Sequence, residues 1–364
     1  MALGRSRVKD VEVPGRFNRA ILKSSSAGRL ALVVTEEESV NAHRVTAPVR
    51  RNSGFVTTAR RHHYVPQGYL AAFTDSGEKK GQFHVLDVGT GRRFRTSPKN
   101  IAVARDFNRV DIDGLPIDAL ESALAGLDDL AVKAIRNVIS RQIFPDAADA
   151  NTILNLLGLI AVRSPLNRES FNRAREHTLR VIGQLLVSDR ALYERHLRRA
   201  HEAGDVPNVE MPYETMKDFI EQEAYEIEFH PEGNSRAEFK VFDGLLPILG
   251  RRSWSLLVAP PDGPQFISSD RPVSLIWRDA REAPVGFALR ETEVFFPLGR
   301  SAAFYGVFER PLPEVTRLNE TQVAAMNTRT LMHADRYVVS PRDAFTVRRD
   351  GEIREISLKD ARVR

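Results

Sequence analysis

The chain has 364 residues, of which 42% are hydrophobic and 28% charged, and it contains no cysteine. That excludes a disulfide framework and a thiolate zinc site. The longest apolar run, Ile153 to Val162, is far shorter than the ~20 residues of a membrane span, and nothing near Met1 reads as a secretory leader. The expectation is a cytoplasmic protein with no membrane partner.

The net charge of +5 is unevenly spread. Residues 1–61 hold twelve Lys and Arg against five Asp and Glu, a net of +7, and the remainder nets −2. Whole-chain basicity is therefore no argument for a nucleic-acid partner. Residues 1–58 show no sustained periodicity and read as a disordered extension. "RLALVVT" within them suits one strand, with no partner strand in sight. The same segment also reads as a basic arm for nucleic acid, or as the product of a start codon placed too far upstream, with Val56 as the true initiator. Residues 59–364 read as a single domain.

Order is expected from Arg60, where "RRHHYVPQGYL" begins. Pro66 suits a helix start, with Tyr69, Leu70 and Phe73 on one side of it. "GQFHVLDVGTGRRFRTSP" predicts a β-hairpin around a glycine-bracketed turn. Asp118 and Glu121 have capping-box spacing. After them Leu120, Leu124, Leu127, Ala131, Ala134 and Val138 recur at helical steps. A helical middle runs from Asp146 to about Glu226. It includes an apolar helix over Ile153–Val162, a restart with Ser164 as N-cap and Pro165 first, and helices over 171–186 and 190–203.

From about Ala237 the reading changes to strands: "EFKVF", "SWSLLVAP", "QFISS", "VSLIW", "EVFFPL" and "AFYGVF". A late helix is capped by Asn319 with Gln322 at its third position, and a final hairpin turns at Asp350-Gly351. The expected class is α+β, with an N-terminal β-hairpin and C-terminal antiparallel strands packed on a central helical bundle.

Several of these stretches, in this order, resemble the bacterial family of unknown function DUF4238. They are "RHHYVPQGYLAAF", "VLDVGTGRRFRTSPKNIAVARDFN", "DALESALAGLD", "IAVRSP", "FISSDRPV", "FPLG" and "VTRLNETQVAAMNTRTL", spanning residues 60 to 340. Gly68 and Asn108 stand where that family's pattern has bulkier or aromatic residues. The resemblance implies a shared fold and brings no activity with it.

The chemistry must be read from residues. In an extended segment His62 and His63 point to opposite faces, so at most one faces a site. That histidine would serve as general base or metal ligand, or else hydrogen-bond the chain entry in place. Asp270, at the end of a strand with Ser268 and Ser269, reads either as a ligand or orienting carboxylate, or as an Asx-turn before Arg271-Pro272. Arg163 at a helix end reads as an anion clamp or as a complement to the helix dipole. Asn319 reads as a cap or as a polar contact. Glu238 and Lys240 on a predicted strand, with Asp218 upstream, faintly echo metal-dependent nucleases. Phosphate-loop, dinucleotide, HExxH and GxSxG motifs are missing.

The leading expectation is a metal-assisted hydrolase acting on phosphodiesters or nucleic acid. Its catalytic residues would be His62, His63 and Asp270, its substrate-binding residues Gln67, Arg163, Ser269 and Asn319, and its cofactor a divalent metal. The alternative is a non-enzymatic module binding a ligand or nucleic acid, in which the same polar residues are structural.

Overall fold

The computed structural model describes residues 9–10, 19–24, 30–35, 61–108, 119–205, 211–223, 225–229, 231–279 and 281–359. The fold is α+β. Its eight described helices are α1 (Gln67–Ala71), α2 (Ala119–Arg141), α3 (Ala147–Val162), α4 (Pro165–Val187), α5 (Arg190–Ala203), α6 (Tyr213–Glu221), α7 (Pro231–Gly250) and α8 (Glu320–His333). None is long and apolar enough to cross a membrane. The chain divides into two compact units, Met1–Thr57 with Arg168–Ala237, and Thr58–Asn167 with Glu238–Arg364.

In the first unit, Leu30–Thr35 lies between Arg19–Ser24, antiparallel, and Tyr225–Phe229, parallel. The strand without a partner thus acquires two, one of them nearly two hundred residues away, a separation no local pattern reveals. Tyr225–Phe229 also ends the helical middle earlier than expected. Its alternation of aromatic or aliphatic with acidic residues is the two-residue period of a strand. Asp189 caps α5 by accepting the Leu192 N–H at 2.7 Å, and Gly204 ends it in the left-handed region at φ 74°.

The second unit is built on a five-stranded sheet in the order Ser274–Trp277, Thr292–Gly299, Ala302–Val307, Ser253–Val258, Val315–Arg317. Every residue of Thr292–Gly299 is buried, which explains why "EVFFPL" shows no polar alternation. Val294, Phe296 and Leu298 join a core cluster with Ile135 of α2, Leu156 of α3 and Leu249 of α7. Phe295, between them, packs on the opposite face with Phe266 and with Val323 of α8. A second sheet runs Ser268–Ser269, Tyr337–Ser340, Phe83–Asp87, Arg93–Thr96, so the early hairpin is completed by strands from the end of the chain.

Local chemistry explains most boundaries. Asn319 accepts the Gln322 N–H while the Gln322 side chain accepts the Asn319 N–H, a complete capping box. Ser164 accepts the Asn167 N–H at 3.1 Å and Pro165 opens α4, as predicted. The last hairpin turns through Asp350 at φ 53° and Gly351 at φ 82°, the left-handed pair that a tight hairpin needs. Asp118 lies outside the described residues.

One element is corrected. "EFKVF", expected as a strand, belongs to α7. Phe242, Leu245 and Leu249 follow one another at helical steps, and Leu245 and Leu249 are buried. A five-residue window satisfied both periods, and only the longer run separates them.

Candidate active site

The site grows from the chain entry. Arg61–His63 pairs antiparallel with Val103–Arg105, placing His62 opposite Ala104 and His63 opposite Val103. An extended backbone turns neighbouring side chains to opposite faces, and here the two histidines separate accordingly. His62 is buried, and its Nδ1 accepts the backbone N–H of Asn108 at 2.7 Å. His63 faces a cavity. Pro66 then starts α1, having no N–H to leave unpaired at a helix N-terminus. Tyr69 anchors that short helix: its hydroxyl donates to the Pro297 carbonyl at 2.7 Å and its ring stacks on Phe296 at 5.1 Å.

The cavity, of about 220 Å³, lies between this entry, one face of α2 and the end of α3. His63, Gln67, Asn108, Glu121, Asp128 and Arg163 line it. His63 Nε2 donates to the Lys99 carbonyl at 3.2 Å, and Gln67 donates to His63 Nδ1 at 3.3 Å. That pair of bonds fits the neutral ring, and burial lowers the His63 pKa, which favours the same form. With both nitrogens engaged, His63 holds the Gln67 amide in place.

Arg163 is 3% exposed and lies between Phe107 and Phe239, its guanidinium carbon 5.6 and 5.8 Å from the two ring centroids. Its Nε donates to Glu238 at 3.4 Å and its Nη2 donates to the Asn108 side-chain oxygen. The Asn108 amide in turn donates to Glu121. A chain of polar contacts, Glu238–Arg163–Asn108–Glu121, therefore fixes one carboxylate at the cavity wall. A buried ion pair is costly to desolvate and adds little net stability, but losing one partner strands the other. The expected anion clamp is thus already occupied as an orienting element.

The second carboxylate, Asp128, is seven residues beyond Glu121 on α2. Seven residues are close to two full turns, so both side chains lie on one face, about 10.5 Å apart along the axis. Asp128 Oδ1 is buried without a hydrogen-bond partner. Burial first, and then the negative charge of Glu121, pushes the Asp128 pKa up to about 7, while Arg163 and Lys79 oppose the rise. Asp128 thus holds its proton to near neutrality, under the electrostatic influence of Glu121, Arg163 and Lys79.

The other sequence candidates do not line this cavity. The Asp270 carboxylate accepts the backbone N–H groups of Asp335 at 3.0 Å, Arg336 at 3.0 and 3.3 Å, and Tyr337 at 3.1 Å. It pins the start of strand Tyr337–Ser340. Ser269 Oγ accepts the Arg271 N–H at 3.1 Å, and Asn319 is the α8 cap. Glu238 sits on a helix, bound to Arg163, so the strand-borne nuclease echo disappears. Among the described residues no group of three or more His, Asp or Glu side chains is arranged to hold a metal ion.

Sequence reasoning overlooked Asn108, Glu121 and Asp128. The available signal was two acids seven residues apart beside the apolar stripe of α2, where a carboxylate is drawn toward the core. Gly68 and Asn108, the two departures from the family pattern, both line the cavity. No curated protein and no solved structure matches the chain. Residues 61–344, most of the chain, match the family described as "Protein of unknown function (DUF4238)", and the chain belongs to that family.

Proposed function

We propose that the chain is a hydrolase that cleaves a glycosidic bond with the two carboxylates of α2. Asp128 is the general acid and Glu121 the general base. The observation that carries this reading is their placement in one cavity, with Asp128 half-buried, unpartnered at Oδ1 and titrating at about 7. Two turns of helix, about 10.5 Å of rise, set them farther apart than the ~5.5 Å of a retaining pair, which leaves room for a sugar ring and a water molecule. Glu121 takes a proton from the water as its oxygen bonds to the anomeric carbon. Asp128 gives its proton to the leaving group as the glycosidic bond breaks. Gln67 presents an amide suited to a sugar hydroxyl, while Asn108, bound to Arg163 and Glu121, holds the base in place.

A phosphodiester at the reacting position finds less support. The Glu121 carboxylate repels its charge, and Asp270, the ligand that reading relied on, is spent on backbone N–H groups. The test is sugar release, followed by NMR, from a panel of aryl glycosides, nucleosides and nicotinamide nucleotides. Wild type should turn over at least one class, and Asp128→Asn should lower the rate about a hundredfold or more. Equal rates, or no turnover of any glycoside, contradict the reading. Binding without turnover would instead favour a recognition pocket built from the same amides.

A further inference from the structure

Beside the cavity, and sharing Lys79 and Asp129 with it, runs an open groove of about 660 Å³. Its floor is Val132 of α2, and its walls carry Lys79, Lys80, Lys133 and Arg136 against only Glu78 and Asp129. The ion pairs that counter two of these cations are open to solvent: Lys79 with Asp129 at 3.8 Å, and Arg136 with Glu78 at 3.4 Å. Exposed pairs of this kind add little stability and exchange readily for another anion. Lys80 and Lys133 are exposed and make no ion pair among the described residues.

Cavity and groove therefore differ in charge. With Asp128 carrying its proton, Glu121 and Asp129 balance Arg163 and Lys79 in the first, whereas a surplus of cations lines the second. Gly68 lines the cavity beside residues of the groove. A Cβ there would lie 2.5 Å from the Val132 side chain and 3.4 Å from Lys79. Lys79 and Asp129 line both cavity and groove, so a ligand seated in the cavity extends past them into the groove.

We infer that the groove is a phosphate subsite and that the substrate is a glycoside carrying a phosphate group. Its uncharged sugar end enters the cavity and its phosphate rests among Lys79, Lys80, Lys133 and Arg136. The assignment of the sugar end rests on the hydrolase reading above, whereas the groove stands on its own charges. The phosphate belongs to a mononucleotide-like sugar phosphate or to a nucleic-acid strand, and the two present the same chemistry to lysines.

Calorimetric titration of the full chain with inorganic tripolyphosphate tests the groove directly. Wild type and Asp128→Asn should bind it equally, and Lys80→Glu combined with Lys133→Glu should weaken it at least tenfold with an unchanged unfolding midpoint. Binding should also weaken as salt is raised. Ribose 5-phosphate should bind more tightly than ribose, and comparing it with a 12-nucleotide single strand identifies the source of the phosphate. No binding by wild type, or equal binding by the charge-reversed variant, overturns the inference. Phosphate binding without any glycoside turnover leaves the groove standing and removes the hydrolase reading. Turnover indifferent to a substrate's phosphate does the reverse.

Discussion

Asp128 and Asp270 are both carboxylates drawn out of water, and the fold treats them differently. Burial raises both, Asp128 to about 7 and Asp270 to about 6. At Asp270 the backbone N–H groups of Asp335, Arg336 and Tyr337 pull back against that rise and use up its acceptor sites. At Asp128 one oxygen faces a cavity with no partner, and the nearest carboxylate makes its charge still less favourable. A saturated buried carboxylate is a clamp. An unsaturated one in a cavity is a stored proton, kept at a cost to stability.

The clamp should show the largest effect. Asp270→Ala removes the carboxylate that holds three part-buried N–H groups and should cost about 4 kcal/mol of unfolding free energy in urea at pH 7. A loss below about 1 kcal/mol would mean that Asp270 is no clamp. Next is the polar chain behind Glu121. Glu238→Ala removes one member of a buried ion pair with Arg163, for a loss of about 3 kcal/mol. It should also slow turnover by releasing Asn108 and Glu121.

Asp128→Asn should move stability the other way. The folded chain keeps the Asp128 proton up to about pH 7, whereas the unfolded chain releases it near 3.9. Stability therefore declines as pH rises between these values and is level above them. The neutral amide removes that penalty. The variant should match wild type near pH 4 and exceed it at pH 8 by about 2 kcal/mol, allowing for solvent screening at a partly exposed group. The smallest effect belongs to Asn319→Ala, about 1 kcal/mol from a lost cap, with turnover unchanged.

The same contrast governs what was legible in the sequence. Features set by a few neighbouring residues read correctly: the Asp350-Gly351 turn, the Asn319 cap, the Pro66 and Pro165 starts, and the opposed faces of His62 and His63. Features set by distant partners did not. Asp270 looked like a ligand because the N–H groups that occupy it come from residues 335–337, after α8. Glu121 read only as a capping-box partner and Asp128 drew no reading, because the cavity around them is completed by Gln67, Asn108 and Arg163 from other parts of the chain. Arg163 lines the cavity, but its partner Glu238 sat in a segment misread as a strand.

The most direct test compares wild type with Asp128→Asn in one preparation at pH 8, measuring unfolding free energy and glycoside hydrolysis together. The account predicts a variant at least as stable as wild type whose hydrolysis is reduced about a hundredfold or more. A variant that loses stability while hydrolysing at the wild-type rate would make Asp128 a second clamp and contradict it.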